Sequence, residues 1–500
     1  MGLKKLFLLL VLCCVIGIAC FYLITSQPDR WELPLNGILV LASPRAVDLN
    51  QDHTLDIILG AGAGEWMDTP FGILAIDGKD GTILWHVEAR NQMAGSPIFQ
   101  DITGDGIQDV FMGGRSAQLY AINGADGQVL WEYLPYNPHT VYEEDTTILN
   151  FFTPQWIPDQ NNDGFDDLIV SFGGFVKALP AETDRPAGQL MVFSGKDGEI
   201  LASAPMPDGK ETYFSPLVHD FERNGNLTII FGSGGETING NLYRCSLSDL
   251  MRNDLSQSVP LASGEGKGFI APPVLVDITW DGIKDIVVNS VNARLMAFDG
   301  KDLALLWQLQ VGEGMETYST PAPVYFHKDS IPDFFGSYGI GTWPHIHQSV
   351  QIRVDGKTGE MVFYDSLGTF QYTSPIVGDI TGDNHDDVLF SINQAIAKKE
   401  APSSGLPDTF YVNQLMVYDL AKGEKYPFGQ FVFEGNNLAS TPLLTDLDGD
   451  NYLDLIYCRM TDKYDFFAAT GMVVQRFETN IRINQPITWG GYMGTHYKGY

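Results

Sequence analysis

Hydrophobic and polar positions alternate in short blocks that recur along the whole chain. A Pro that follows Ser, Thr or Pro opens each block, a short apolar step comes next, and an Asp-rich loop leads into a second apolar run. Residues 96–114, "SPIFQDITGDGIQDVFMGG", show this order clearly. Apolar runs this short, bounded by Asp, Asn and Gly, predict β-strands joined by turns. Eight blocks are present, and their leading prolines are Pro44, Pro97, Pro154, Pro216, Pro273, Pro321, Pro375 and Pro442.

Each block carries a second pair of apolar runs after the loop. Residues 72–87, "GILAIDGKDGTILWHV", and residues 117–133, "AQLYAINGADGQVLWEY", alternate apolar and polar positions around a Gly-containing turn. This pattern predicts a β-hairpin. The fourth and eighth blocks keep weaker versions of it. One block therefore contains four antiparallel strands.

Four-stranded sheets that repeat along a chain form a ring, because a ring protects their edges. The sequence predicts an all-β protein, a β-propeller of eight four-stranded blades that occupies residues 28–500 as a single domain. Seven blades with one aberrant unit is the alternative. Residues 37–42, "GILVLA", or the C-terminal stretch are expected to complete a split blade and close the ring.

The Asp-rich loops place oxygen-bearing side chains at positions 1, 3, 5 and 9. In the second block these are Asp101, Thr103, Asp105 and Asp109, with Gly106 at position 6. Alternate positions of a tight loop bring their oxygens together, and Gly permits the sharp turn, which is the pattern of a calcium site. Five further loops share this spacing: Asp48, Asn50, Asp52 and Asp56; Asp159, Asn161, Asp163 and Asp167; Asp277, Thr279, Asp281 and Asp285; Asp379, Thr381, Asp383 and Asp387; and Asp446, Asp448, Asp450 and Asp454.

Two loops depart from the pattern. The fourth has Thr228 at position 9, and the sixth begins with Tyr325; both are predicted to be turns without metal. The other six could also be plain Asx turns, since Asp, Asn and Gly favour such turns. Repetition of the acidic spacing in six loops favours several structural Ca²⁺ ions, each stabilising one blade. The missing Glu at position 12 excludes EF-hands.

These motifs resemble two propeller families. The loop followed by an apolar strand and a Gly-Gly step, as in "DVFMGG" (109–114) and "IVSFGG" (169–174), resembles the FG-GAP repeats of the integrin α-subunit propeller. The Trp-containing hairpins resemble the repeat of quinoprotein-like (PQQ-type) eight-bladed propellers. The resemblance covers about residues 37–480. It indicates the fold but not the function, because propellers host many unrelated activities.

The integrin resemblance implies calcium-loaded blades and a ligand-binding face made by loops. The quinoprotein resemblance implies that Trp85, Trp131 and Trp307 pack between neighbouring blades. It does not imply a quinone cofactor. Those enzymes share an adjacent-cysteine disulfide, and the adjacent pair here, Cys13 and Cys14, lies in an apolar N-terminal run.

The chain has 62 acidic and 30 basic residues, a net charge of −32. This balance argues against a nucleic-acid partner, because phosphate binding requires clustered Lys and Arg. Acidity of this size suits bound cations, a cationic partner or simple solubility. Charge alone does not choose between these three.

The N-terminus predicts a location outside the cytoplasm. Residues 6–24 form an apolar run that follows Lys4 and Lys5. The run is at the lower limit for crossing a bilayer, and the lysines place its N-terminal end on the cytoplasmic side. Residues 1–27 are predicted to be a signal anchor or a lipoprotein signal segment with the lipid on Cys20. A cleaved signal peptide is the third possibility. The protein is therefore expected to be membrane-anchored, in the periplasm or on the cell surface.

The predicted function is a non-catalytic scaffold that binds a protein partner or a surface polysaccharide. Aromatic residues near the C-terminus, such as Trp489 and Tyr500, and long connections at the blade ends suit such contacts. The alternative is a carbohydrate-active enzyme of the lyase or glycosidase type, which needs paired carboxylates. His345 and His347 alternate in the sequence, as two metal ligands on one face of a strand can. The simpler interpretation is that they are loop or edge-strand histidines without a partner. The long connections are residues 134–152, 234–240, 249–269, 337–349 and 393–413.

Overall fold

Each sequence block folds as one antiparallel sheet in the computed structural model of this chain, and the described residues form eight such sheets. β-Branched and aromatic residues occupy the buried strands, and Gly, Asp and Asn occupy the turns. The prediction of eight four-stranded blades is confirmed, and the seven-bladed alternative is wrong. The structure describes residues 30–133, 149–175, 178–179, 182–325, 331–343, 345–369, 372–397 and 409–500.

The described residues begin with β1 (Arg30–Asn36). Blade 1 contains β2 (Arg45–Val47), β3 (Asp56–Gly60), β4 (Thr69–Ile76) and β5 (Ile83–Ala89). Blade 2 contains β6 (Ile98–Gln100), β7 (Asp109–Gly114), β8 (Gln118–Ile122) and β9 (Val129–Tyr133). Blade 3 contains β10 (Asn150–Phe151), β11 (Gln155–Ile157), β12 (Asp167–Gly173), β13 (Gln189–Phe193) and β14 (Ile200–Pro205). Blade 4 contains β15 (Leu217–His219), β16 (Thr228–Gly232), β17 (Asn241–Ser246), the helical turn α1 (Leu247–Leu250) and β18 (Val259–Ser263).

The second half of the ring repeats this plan. Blade 5 contains β19 (Val274–Val276), β20 (Asp285–Asn289), β21 (Arg294–Phe298) and β22 (Leu305–Gln310). Blade 6 contains β23 (Met315–Glu316), β24 (Ala322–Val324), β25 (Asp333–Ile340), β26 (Gln348–Val354) and β27 (Met361–Ser366). Blade 7 contains β28 (Ile376–Gly378), β29 (Asp387–Ala397), β30 (Thr409–Asp419) and β31 (Glu424–Glu434). Blade 8 contains β32 (Leu443–Thr445), β33 (Tyr452–Met460) and β34 (Gly471–Arg482).

Two faces of the ring follow from the strand order. In blades 1–7 the chain passes from the innermost strand outward, as β2-β3-β4-β5 does in blade 1, and in blade 8 it does so through β32, β33 and β34. We call the end with the turns between the first and second strands the loop face; it carries the Asp-rich loops. The opposite end, with the connections between the second and third strands, is the mouth face. Those connections include residues 61–68, 174–188, 233–240, 341–347 and 461–470.

The first described strand closes the ring. β1 is the outermost strand of blade 8 and pairs antiparallel with β34, so that Asn36 lies opposite Gly471 and Arg30 opposite Phe477. The prediction that residues 37–42 or the C-terminal stretch would supply the strand that completes the split blade is therefore wrong. Within residues 37–42, Leu39 makes one isolated bridge to Gly62. A split blade is present, but its closing strand lies just before that segment.

Tryptophan side chains link neighbouring blades. The indole nitrogens of Trp85, Trp131 and Trp307 each donate a hydrogen bond to a glycine carbonyl in the hairpin turn of the next blade, over 2.7, 3.0 and 2.8 Å. The implied packing of these three residues between blades is confirmed. Trp31 on β1 makes the same contact with the Gly78 carbonyl, at 2.8 Å, and thus extends the pattern across the ring closure.

The C-terminal tail, residues 483–500, enters the central channel. Trp489 bridges Val377 on the innermost strand of blade 7, and the Gly499 carbonyl accepts a hydrogen bond from Leu275 of blade 5. Trp489 is 1% exposed. The channel is therefore filled at the level of its inner strands, and Trp489 packs inside it instead of being presented for outside contacts.

The predicted membrane segment is the apolar run near the N-terminus. Residues 6–24 lie outside the described residues, and within the described ranges no helix has the length and hydrophobicity to cross a bilayer. Cys245 and Cys458 are buried and unpaired. Burial raises the pKa of each thiol to about 12.

Candidate functional site

The carboxylate at position 9 has a structural role in the loops of blades 1, 2, 3 and 5. Asp56 is fully buried; its Oδ2 accepts a hydrogen bond from the Leu49 amide at 2.8 Å and its Oδ1 one from the Gly78 amide at 3.1 Å. It thus joins the loop to the hairpin turn of its own blade. Burial raises the pKa of Asp56 to about 6. Asp109, Asp167 and Asp285 bind the turn glycines Gly124, Gly195 and Gly300 in the same way.

Positions 1 and 5 hold the loop in an Asx-type turn. Asp101 accepts hydrogen bonds from the amides of Gly104 and Gly106, at 2.6 and 2.9 Å, and Asp105 accepts one from Ile107 at 2.8 Å. In the fourth loop Asp220 accepts bonds from its own loop in the same way. The sixth loop lies partly outside the described residues.

The loop of blade 8 gathers the most acidic oxygens. Asp446, Asp448 and Asp454 each place one carboxylate oxygen within 4.8 Å of the others, and the described residues contain no second such group. Asp450 does not join them. Arg476 lies beside them, with its Nη2 at 2.6 Å from Asp448 and its Nε at 2.9 Å from Asp454. A guanidinium therefore already balances part of this charge.

The fit of calcium differs between loops. In blade 5, Oδ1 of Asp277 is buried and accepts no hydrogen bond from a described residue, so this loop offers a free ligand atom. In blade 8 the competing Arg476 weakens the fit. Calcium binding by the 24 residues named in the sequence analysis stays a prediction.

The mouth face contains a cavity of about 630 Å³ at the entrance of the channel. Its wall is formed by residues that precede the innermost strands, such as Ser96 and Ser374, and by mouth-face connections. Tyr492 of the tail also lines it, with its hydroxyl 3.4 Å from that of Ser215. The tail thus closes the cavity from the loop side.

Two Glu-Thr-Tyr triplets flank this cavity. Tyr213 donates to Glu211 at 3.0 Å, and Tyr318 donates to Glu316 at 3.1 Å. Both glutamates are almost fully buried, and each has a cation beside it: Arg185 lies 2.9 Å from Glu211, and Lys267 lies 2.6 Å from Glu316. The triplets therefore form two equivalent polar clusters in blades 4 and 6.

Sequence reasoning missed these clusters, although a signal was present. Residues 211–216 read "ETYFSP" and residues 316–321 read "ETYSTP", directly at the leading prolines of the fourth and sixth blocks. These are the two blocks whose Asp-rich loops depart from the calcium spacing.

Aromatic rings form much of the remaining wall. Tyr318 and Tyr372 have their ring centroids 3.9 Å apart, and Trp343 lies 5.7 Å from Tyr372 and 5.5 Å from Phe467. On the other side, Arg115 pairs with Glu65 at 2.8 Å and covers the Trp66 ring at 5.3 Å. The cavity therefore combines aromatic surface with ion pairs.

The histidines do not form a site in the described chain. His345 and His347 are exposed and lie in the connection before β26 instead of in a strand. No described acid or cysteine joins them in a metal-ligating group. Residues 134–148, which include part of one predicted connection, lie outside the described residues. In the predicted connection 393–413, residues 393–397 belong to β29 and residues 409–413 to β30, and residues 398–408 lie outside the described residues.

A family model described as outer membrane protein assembly factor BamB matches residues 64–150. This span includes the hairpins of Trp85 and Trp131. With the eight-bladed fold, the match supports a propeller of the PQQ type. The resemblance to the integrin repeat stays a prediction.

Curated relatives match much more of the chain at low identity. Protein FAM234B of Mus musculus is 22% identical over 418 residues, 77% of this chain and 62% of that protein. Protein FAM234B of Homo sapiens is 21% identical over 411 residues, which cover 75% and 61%. The chain therefore spans 61–62% of the length of these two relatives.

Solved structures share the fold. A europium-containing methanol dehydrogenase is similar with a TM-score of 0.54 and 10% identity, over 89% of this chain and 92% of that one. Sqt1 of Saccharomyces cerevisiae is similar with a TM-score of 0.50 and 11% identity, over 90% and 98%. One name denotes an enzyme and the other does not, so these likenesses concern architecture alone.

Proposed function

We propose that this chain is a non-catalytic protein-interaction propeller whose partner binds at the mouth face. The main support is a set of large apolar side chains exposed around the mouth cavity. Trp66 and Phe467 line the cavity and are 43% and 49% exposed, and Met67 is 59% exposed. Exposed aromatic side chains around a pocket are typical of binding hot spots. The matching family model is named for an assembly factor, which accords with this role.

The charge pairing at the mouth favours binding over catalysis. A glycosidase or lyase needs two carboxyl groups that can act as acid and base. Glu65, Glu211 and Glu316 each lie within 2.6–2.9 Å of an Arg or Lys nitrogen. Each of these three carboxylates is therefore engaged by a cation, which supports binding over acid–base catalysis.

We further propose that residues 6–24 tether the propeller to a membrane, with the propeller outside the cytoplasm. β1 begins at the level of the loop face, because Arg30 lies opposite Phe477 near the loop-face end of β34. Five residues, 25–29, connect the two segments and reach roughly 17 Å when extended. The loop face would then lie toward the membrane, and the mouth face would point away from it, toward a partner.

Calcium is proposed to stabilise the six predicted loops. A loop with a Kd of about 10⁻⁴ M gains about 1.4 kcal/mol at about 1 mM calcium. Addition of EDTA to the purified chain should lower the melting temperature in a scanning calorimeter, and calcium in excess should restore it. An identical melt with and without EDTA would contradict calcium binding and leave the proposed partner surface untouched.

Site-specific photocrosslinking tests the partner surface. A benzoylphenylalanine in place of Trp66 or Phe467, in the full chain in its own cells, should give adducts of higher mass. The matched control is the same replacement at Trp280, which is 62% exposed on the loop face and should give none. Equal adducts at both faces, or adducts at Trp280 alone, would overturn the proposal.

A further inference from the structure

We propose that the mouth cavity receives an arginine side chain of the partner, with the guanidinium group against the carboxylate of Glu236. This inference rests on the proposed function and specifies the chemistry of the partner. Three features carry it: the charge left over in the cavity, the aromatic rings beside that charge, and an unused buried amide.

Glu236 differs from the other glutamates at this cavity, because its carboxylate has no direct ion pair among the described residues. Lys267 donates to its main-chain carbonyl at 2.5 Å, and its charge also acts on Arg185, which is itself paired with Glu211. Glu236 is half-buried and lines the cavity, and its side chain makes no hydrogen bond or ion pair with the described residues. By contrast, the glutamates of the two triplets and Glu65 all have a partner cation. A carboxylate in a partly enclosed pocket is stabilised by an incoming cation, because the pocket reduces its hydration.

Three tyrosine rings, those of Tyr213, Tyr318 and Tyr372, line the same cavity as this carboxylate. Burial raises the pKa of Tyr213, Tyr318 and Tyr372, and the negative charge of Glu236 raises each of them further. The carboxylate therefore acts on three rings that border the cavity. A cation that approaches Glu236 would meet the faces or edges of these rings, and such contacts strengthen cation binding.

Gln92 supplies the independent polar feature. It is 0% exposed and lines the cavity, and both Nε2 and Oε1 of its amide are buried without a hydrogen-bond partner among the described residues. An unsatisfied buried amide destabilises the free protein, because the group has lost its hydration without gaining a hydrogen-bond partner. A peptide group, which has one donor and one acceptor, would satisfy it. A bare metal ion would bind only the carbonyl oxygen of this amide and leave its N–H groups without a partner.

Arginine fits these features better than lysine. A guanidinium is planar, stacks on aromatic rings and is more weakly hydrated than an ammonium group, so that it loses less on entering a half-buried cavity. The net charge of −32 also attracts a cationic segment from a distance. A cavity of about 630 Å³ has room for this side chain and part of its backbone.

Short peptides test the inference directly on the full-length chain in detergent. Acetyl-Gly-Arg-Gly-amide is titrated against the same peptide with citrulline, which keeps the shape and removes the charge, and against the lysine peptide. Binding is followed by isothermal titration calorimetry. We expect the citrulline peptide to bind at least tenfold more weakly than the arginine peptide, and the lysine peptide to lie between them.

Variants assign the site. Glu236→Gln should reduce arginine-peptide affinity about tenfold, whereas Glu265→Gln, which removes the same charge from an exposed position, should leave it unchanged. Gln92→Leu should weaken the peptide about threefold without loss of thermal stability, since its amide has no partner to lose. Equal binding of the arginine and citrulline peptides, or equal effects of the two glutamate variants, would overturn the inference.

The crosslinking experiment separates the two levels of the proposal. Adducts at Trp66 that persist in the Glu236→Gln chain at wild-type yield would keep the partner surface and overturn the arginine site. Loss of those adducts in Glu236→Gln but not in Glu265→Gln would support both.

Discussion

The loop face and the mouth face of this ring differ in how regularly their contacts repeat between blades. On the loop face, a carboxylate binds a turn glycine in blades 1, 2, 3, 5 and 6, and a tryptophan–glycine contact links four pairs of neighbouring blades. On the mouth face, blades 4 and 6 carry Glu-Thr-Tyr triplets that the other blades do not have. These two blades are also those whose loops depart from the acidic spacing. Contacts that repeat between blades therefore hold the ring together, whereas the two blades with irregular loops contribute the Glu-Thr-Tyr triplets beside the cavity.

The turn glycines give the most sensitive test of the regular side. A Cβ on Gly78 would lie 2.0 Å from the Leu55 carbonyl oxygen, so Gly78→Ala forces the hairpin off its Asp56 contact. We expect a loss of at least about 4 kcal/mol in the free energy of unfolding, measured with urea. Gly104→Ala is the control, since its backbone is left-handed, unlike that of Gly78, but nothing lies within 4 Å of an added Cβ. It should cost about 1 kcal/mol.

Trp31 tests whether the regular contacts extend across the ring closure. Trp31→Ala removes the indole that packs on Gly81 and donates to Gly78, and we expect a loss of about 3–4 kcal/mol. Trp280→Ala, an exposed change of the same size, should stay within about 0.5 kcal/mol of wild type. Equal urea midpoints for the two variants would show that β1 does not contribute to closure.

The contribution of the mouth face to the stability of the protein should depend on charge balance more than on packing. In Arg185→Met the fully buried Glu211 loses its cation, and we expect about 3 kcal/mol of destabilisation. The double variant Arg185→Met/Glu211→Met removes both charges and should recover most of that loss. A double-mutant cycle in urea measures this. Additive losses would contradict a coupled pair.

The two thiols give the smallest effect. Because burial raises the pKa of Cys245 and Cys458 to about 12, both stay neutral through the range in which an ordinary thiol ionises, near pH 8.5. With Cys13, Cys14 and Cys20 replaced by Ser, the native chain should react with Ellman's reagent at pH 8.5 far more slowly than the same chain unfolded in urea. Rapid modification of the native chain would show that one of the strands opens readily.

The sequence predicted the ring because its local patterns repeat eight times. It misplaced the closing strand, since β1 pairs with residues at the far end of the chain and contains Pro34, which an edge strand tolerates. Even so, Trp31, Leu33 and Leu35 alternate with polar positions, and that pattern was visible.

The candidate sites were predictable to different degrees. The loop spacing identified the carboxylates, but not that the position-9 carboxylate binds the turn glycine, because Asp56 and Gly78 are far apart in the chain. The Glu-Thr-Tyr triplets could have been found as a second repeat. Glu236 and Gln92 could not, because each occurs once and acquires its surroundings from several blades.

The pairing of β1 with β34 constrains how the protein is made. During synthesis the first strand leaves the ribosome long before its partner exists, and at about 5–20 residues per second this wait lasts on the order of a minute. Throughout that time an apolar edge stays open to wrong neighbours. Nascent chains of this protein should therefore depend on chaperones until translation has nearly ended, and C-terminal truncations that remove residues 471–482 should aggregate instead of forming a smaller ring.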